Sequence, residues 1–188
     1  MGTRNNPKRE KQIESARKIA AASGEPHVAP DLLFGRASND DLELYTPEML
    51  ALSCIHAAKE IALWDGDAAR ISIGSIDGVN PAGVPVSILT ITDRNKPFLY
   101  DSVMGEVTTS YRDIFMAVHP IFVREQDGTI GLHGTEQTSS PAVRISHIHL
   151  HLAPLSPEQA TDLIARLENV LGQVHVAVED WQAMLDTL

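Results

Sequence analysis

The sequence predicts an α+β protein: an antiparallel sheet of about four strands with helices on one face, preceded by an N-terminal helical extension. Three observations carry this. Apolar residues recur at i, i+3, i+4 and i+7 over residues 46–62 and again over 156–171, which is helical spacing. Between them, runs rich in β-branched residues at 70–76, 84–92, 114–123 and 143–152 are bounded by Gly-, Pro-, Asn- and Ser-containing turns. A third helical pattern, with Leu99, Val103 and Val107 four residues apart, separates the second run from the third.

Taken in order, residues 7–22 form a helix, with Pro7 in its first turn, Ile13, Ala16 and Ala20 on one side and Gly24 as its stop. Pro26 and Pro30 then leave a loosely structured connector to about Asn39. Thr46 and Pro47 suit the N-cap and first position of the next helix. Its buried stripe is expected to hold Ala51, Cys54, Ile55, Ala58, Ile61 and Ala62, with Cys54 a small apolar group rather than a nucleophile. The strands at 70–76 and 84–92 pair as a hairpin across the turn-rich stretch Asp77–Gly83. Residues 114–123 read as one strand, held to a sheet edge or a bulge by Pro120, which cannot donate to a ladder. Residues 126–142 are expected to be a long, mobile hairpin loop, and 143–152 the fourth strand. Ser156-Pro-Glu-Gln159 is a capping box opening a helix with the stripe Ala160, Leu163, Ile164, Leu167, Val170 and Leu171. The last segment, with Val174, Ala177, Val178, Trp181, Met184 and Leu185, fits a further helix after a break near Gly172.

The strand-helix-strand-strand-helix core is most of a ferredoxin-like layout. The final strand of that layout, which runs antiparallel beside the first, is lacking after the last helix. The strand at 70–76 is expected to fill its place from the other end of the chain. Residues 1–44 are the extension and connector, and 45–188 the α+β domain.

The 188 residues, 43% hydrophobic and 21% charged, suit one globular core, and aromatics at 5% make that core mostly aliphatic. No run is long enough to span a membrane, no apolar stretch follows the early basic residues as in a signal peptide, and one cysteine suits a reducing cytoplasm. The net charge of −10 is uneven: residues 1–18 carry six basic and two acidic side chains, the remainder nine against 23. An acidic body of this kind repels phosphate backbones, so nucleic acid is not an expected partner. The basic head reads as a solvated helix face.

His147, His149 and His151 alternate along one strand and so share a face. End to end they span ~13 Å, so a single ion could not take all three without a bend. A metal site would need help from another element, with His119 or His133 the candidates. The alternative is that Ile148, Leu150 and Leu152 face the helices while the histidines line a wetter face. No G-x-G-x-x-G, P-loop or G-x-S-x-G motif is present, so no nucleotide-binding or hydrolytic machinery is expected in this chain.

Asp93–Val103, with its Pro97-Phe98-Leu99 and Asp101-Ser102-Val103, is followed by Val118-His119-Pro120, Ser146-His-Ile-His-Leu150 and Val178-Glu-Asp-Trp181. In order and spacing this set resembles the N-terminal ACT-like region of the large bacterial NAD-specific glutamate dehydrogenases, across residues 45–185. The resemblance implies an ACT-like fold and a much longer polypeptide that converts L-glutamate and NAD to 2-oxoglutarate, ammonium and NADH. Its NAD and catalytic residues belong to a later region, so no catalytic or cofactor-binding residue is carried over. It also implies contacts with later domains and other subunits of a homo-oligomer. ACT domains often bind an amino-acid effector where the first strand turns into the first helix, which here is Asp93, Arg94, Asn95 and Pro97. Helix N-terminal N–H groups there suit a carboxylate. The usual ACT pattern follows its proline with glycine, and Phe98 stands in that place. The competing readings are a free-standing amino-acid-sensing ACT protein and a small metalloprotein built on His147, His149 and His151.

Overall fold

The computed structural model describes residues 6–134 and 143–185. Helix α1 spans Pro7–Ala22; the Asn6 side chain accepts hydrogen bonds from the N–H groups of Lys8 and Arg9, and Pro7 occupies the first turn. Two short helices follow, α2 (Pro30–Leu33) and α3 (Asn39–Leu42), and then α4 (Pro47–Ala62), capped by Thr46. Next come β1 (Arg70–Gly74) and β2 (Ser87–Arg94), joined through a single turn of 3-10 helix at Pro81–Gly83. Helix α5 (Leu99–Ser110) leads to β3 (Ile114–Val118), β4 (Ile121–Arg124) and β5 (Val143–Leu152), and α6 (Pro157–Leu185) is the last element.

The sheet is antiparallel in every pairing, in the order β1-β2-β5-β3, with β4 also paired to β5. This is the ferredoxin-like order, with β1 standing beside β2 where a strand after α6 would otherwise lie. Supply of the missing strand from the N-terminal side is thus as expected. The run 114–123 is broken at His119 and Pro120 into β3 and β4, which lie end to end along one edge of β5. Proline lacks the N–H the ladder needs, and the backbone N–H of His147 donates instead to the Pro120 carbonyl at 3.1 Å.

Alternation along β2 and β5 divides the core in two. Leu89, Ile91, Ile148, Leu150 and Leu152 meet Leu99, Val103 and Val107 of α5 and Leu163, Leu167 and Leu171 of α6. Ile88, Met116, Val118, Phe122 and Ile145 face the other way and join Leu50, Cys54, Ala57 and Ile61 of α4, with α1 packed behind. The ACT-like core therefore carries α5 and α6 on one face, as expected, but the N-terminal helices close the second face, so helices cover both. The expectation of a wetter face is overturned with it. His147, His149 and His151 share one face, and all three are fully buried.

Other expectations are corrected too. The connector is not loose: Val28, Leu33, Phe34, Ala37 and Leu42 are buried in the core. The Arg9 guanidinium fastens this stretch by donating to the carbonyls of Phe34, Gly35 and Ala37. Sequence periodicity missed it because two four-residue helices are shorter than the pattern that reveals a helix. In α4, Leu50, Ala51, Cys54, Ala57, Ala58 and Ile61 are buried, while Ile55 is half-buried and Ala62 exposed. Helix α6 runs unbroken through Gly172 for 29 residues. Its capping box forms in both directions, Gln159 N–H to Ser156 Oγ at 3.1 Å and Ser156 N–H to Gln159 Oε1 at 2.9 Å. The expected loop at 126–142 is described only as far as Gly134, where it turns at Asp127–Gly128 and pairs Ile130 with Arg124. Among the described residues, no helix is long and apolar enough to cross a membrane.

Candidate functional site

The turn from β2 into α5 is built around Asp93, the last buried residue of its strand. Its carboxylate accepts from the Arg94 backbone N–H at 2.7 Å and from Lys96 Nζ at 3.0 Å. With Asp93 only 2% exposed, this ion pair sits in reduced dielectric and fixes the lysine in place. Arg94 points away and donates through Nε and Nη2 to the Gly66 carbonyl at 3.2 and 3.1 Å. The Gly66 backbone holds φ 93°, a conformation that favours glycine, and a β-carbon there would have to displace the Arg124 guanidinium. The Asn95 N–H donates to the Arg144 carbonyl at 2.9 Å, tying the turn to the start of β5. Phe98 then enters α5 in the left-handed conformation, at φ 66° and ψ −2°, with its ring 71% exposed. The backbone here adopts the shape that suits glycine, although glycine is not the residue present.

A cavity of about 450 Å³ opens beside this turn, between the approach to β1 and helix α6. Asp67, Asp93 and Glu168 bring carboxylates to its lining, Lys96 and His175 bring nitrogen bases, and Ile71 and Leu171 give it an apolar side. Groups of both signs around an apolar patch match a small zwitterion: a carboxylate for an ammonium group, an ammonium for a carboxylate. Of the four residues expected at an effector site, Asp93 lines the cavity. Arg94, Asn95 and Pro97 lie on the exposed side of the turn and do not. Lys96, inside the expected turn though not one of those four, lines the cavity as well, and Glu168 and His175 were not anticipated. A signal for the latter two was present in the sequence: they are seven apart in a helix, with Gly172 between them, and therefore on one face.

The histidine row forms a second polar centre, buried beneath α4. Tyr45 Oη and His151 Nδ1 are hydrogen-bonded at 2.8 Å, His151 Nε2 and His149 Nε2 at 2.9 Å, and Thr92 Oγ1 and His147 Nδ1 at 2.9 Å. Burial, reinforced by neighbouring imidazoles, holds all three in the neutral form. The pKa values of His147 and His151 fall to about 3, and that of His149 lies well below its ordinary range. Burial also pushes the Tyr45 hydroxyl and the Cys54 thiol upward, so neither ionises readily. The histidines expected as helpers lie elsewhere. His119 stacks on Tyr100 at 4.8 Å and hydrogen-bonds Ser146 on the α5 side of the sheet, and His133 packs edge-on to His27 at 4.9 Å. As the side chains stand, no three His, Cys, Asp or Glu groups among the described residues are arranged to hold a metal ion.

No curated protein and no solved structure matches the chain significantly. The family model described as "Glutamate dehydrogenase, ACT1 domain" matches residues 30–167, well over half of the chain. That span takes in α2 to the first third of α6, with the whole sheet and the β2–α5 turn; of the cavity beside it, the α6 wall of Glu168, Leu171, Gly172 and His175 lies past the matched residues. The chain belongs to the glutamate dehydrogenase ACT1 domain family.

Proposed function

We propose that this chain is a non-catalytic regulatory and assembly segment of an NAD-specific glutamate dehydrogenase, whose longer polypeptide oxidatively deaminates L-glutamate to 2-oxoglutarate and ammonium. The observation that carries the reading is membership of the ACT1 family in a chain whose described sheet is wholly antiparallel. A dinucleotide crevice of the Rossmann kind is built on parallel strands, so the reading assigns NAD to another part of the polypeptide. The partners proposed are later domains of that polypeptide and other subunits of a homo-oligomer, in the cytoplasm.

Regulation is assigned to the cavity between the β2–α5 turn and α6, with an amino acid as effector. Its ammonium is taken by the Asp67 and Glu168 carboxylates and its carboxylate by His175 and by Lys96, which Asp93 holds in place. Calorimetric titration with glutamate, aspartate and the branched-chain amino acids tests this. Saturable binding of one of them, weakened at least tenfold by Lys96→Ala, is the expected result. No binding of any of them would remove the effector and leave assembly as the role. The mixed charge of the cavity also suits a second reading, a free-standing amino-acid sensor. A reading frame that continues past Leu188 into a dehydrogenase domain would exclude it.

A further inference from the structure

A smaller cavity, of about 190 Å³, lies where the N-terminal segment meets the break between β3 and β4. Leu32 and Leu33 of α2, with Pro120 and Ile121 at the break, give it apolar walls. Arg36 and His119 are its basic groups, and no carboxylate belongs to its lining. The cavity beside the β2–α5 turn differs, since Asp67, Asp93 and Glu168 accompany the bases there. In a chain with 25 acidic side chains against 15 Lys and Arg, a basic pair without an acid marks a place for an anion.

The two groups are prepared differently. Among the described residues the Arg36 guanidinium makes no hydrogen bond and no ion pair, so its planar fork of donors stays available. The His119 ring is fixed twice: it stacks on Tyr100 at 4.8 Å, and its Nε2 is hydrogen-bonded to the buried Ser146 hydroxyl. With Nε2–H donating to Ser146 Oγ, Nδ1 keeps its lone pair and has no hydrogen bond among the described residues. Burial chiefly, and the Arg36 charge next, hold His119 below its ordinary pKa, while Asp101 at the start of α5 pulls the other way. An anion beside both bases offsets the Arg36 repulsion, raises that pKa and turns Nδ1 into an N–H donor.

We propose that this cavity binds a small carboxylic acid that carries no ammonium group, its carboxylate held by Arg36 and His119. A guanidinium meets a carboxylate through two parallel N–H bonds. The apolar walls take a short aliphatic body, which inorganic phosphate lacks. A liquid water occupies about 30 Å³, so the space suits a small acid and is too small for a nucleotide or a peptide. An amino acid would bring its ammonium beside Arg36 with no carboxylate to take it, so glutamate is discriminated against here. Of the acids that fit, 2-oxoglutarate is the product of the reaction proposed above; only that choice of probe rests on that reading, and succinate is independent of it.

The test titrates the purified chain with 2-oxoglutarate, succinate, glutamate and inorganic phosphate by calorimetry, and follows the imidazole ¹⁵N signals in parallel. Expected is saturable binding of 2-oxoglutarate or succinate that shifts the His119 signals and leaves those of His175 in place. Repeating the titration at about pH 7 in buffers of different ionisation enthalpy should show proton uptake on binding, as His119 becomes charged. Arg36→Ala, a change at an exposed position that leaves the core intact, should weaken binding roughly tenfold or more. No binding of either acid, or binding that survives Arg36→Ala, would overturn the site. Shifts at His175 in place of His119 would overturn it too, by placing the acid in the cavity beside the β2–α5 turn. Glutamate or phosphate moving the His119 signals at equal or lower concentration would overturn the assignment to an ammonium-free carboxylic acid.

Discussion

Phe98 holds a left-handed backbone that costs a side-chain-bearing residue about 1–2 kcal/mol, while its ring makes little use of the interior. Phe98→Gly should therefore stabilise the fold by about 0.5–1 kcal/mol, less than the full strain because glycine loses more chain entropy on folding. A lower urea midpoint in the variant would show that the exposed ring makes contacts worth more than the strain. The buried histidines make a prediction of opposite character. Their ordinary pKa is 6.5, and in the fold two of them lie at about 3 and the third well below 6.5. Between those limits the unfolded chain binds more protons than the folded one, so stability is fully present above pH 6.5 and is lost as pH falls toward 3. The loss approaches about 1.4 kcal/mol per pH unit for each buried imidazole. Urea unfolding with chelator present should show a midpoint dropping steadily from pH 7 to pH 5; a flat midpoint would mean that the row is not buried in the neutral form. At this scale the sequence shows that the three histidines share a face, because side chains alternate strictly along a strand. It does not show what covers them, because α4 lies some 85 residues away in sequence and its stripe of small residues names no partner.

Helix α6 shows where element-level reading stops. Gly172 looks like a break because glycine is a poor helix former, yet tertiary packing of Leu167 and Leu171 on one side and Val174 and Val178 on the other carries the helix through it. A β-carbon built at Gly172 meets nothing within 4 Å. Gly172→Ala should then stabilise the chain by about 1 kcal/mol and raise Tm by about 2–4 °C. A fall in Tm would instead support the break that the sequence suggested. The capping box at Ser156 and Gln159 was legible in full, since its two hydrogen bonds are local and follow from spacing alone. Ser156→Ala removes the acceptor for the Gln159 N–H and should cost about 1 kcal/mol, read from the same melts. The break of the edge strand at Pro120 was half legible: proline excludes a ladder bond there, but whether the strand bulges or splits depends on β5. The short helices α2 and α3 were not legible at all. Their order comes from Arg9 on α1 and from burial under α4, both non-local.

At the scale of the whole molecule, the sheet is completed by a strand from before the first ACT-like strand rather than after the last helix. The same N-terminal segment also roofs the face that carries the histidines. One segment thus performs two closures, and α6 is left free to run on beyond the sheet, ending with Trp181, Met184 and Leu185 about half exposed or more. The four strand-forming runs, the ferredoxin-like order and the role of β1 were visible in the alternation of β-branched runs with helical stripes, but the division of the third run into two strands, five in all, was not. The second helical layer was not, because amphipathic helices show that they bury a face without showing which one. Of the candidate site, the sequence pointed to the β2–α5 turn but chose residues by proximity in the chain. The cavity takes Asp93 and Lys96 from that turn and its other walls from α6 and the approach to β1. The central claim is that this chain belongs to a glutamate-oxidising enzyme and forms no bonds itself. The most direct test is glutamate-dependent reduction of NAD by the purified chain, beside the complete enzyme assayed under identical conditions. The account predicts NADH from the complete enzyme and none from the chain alone; sustained turnover by the chain would contradict it.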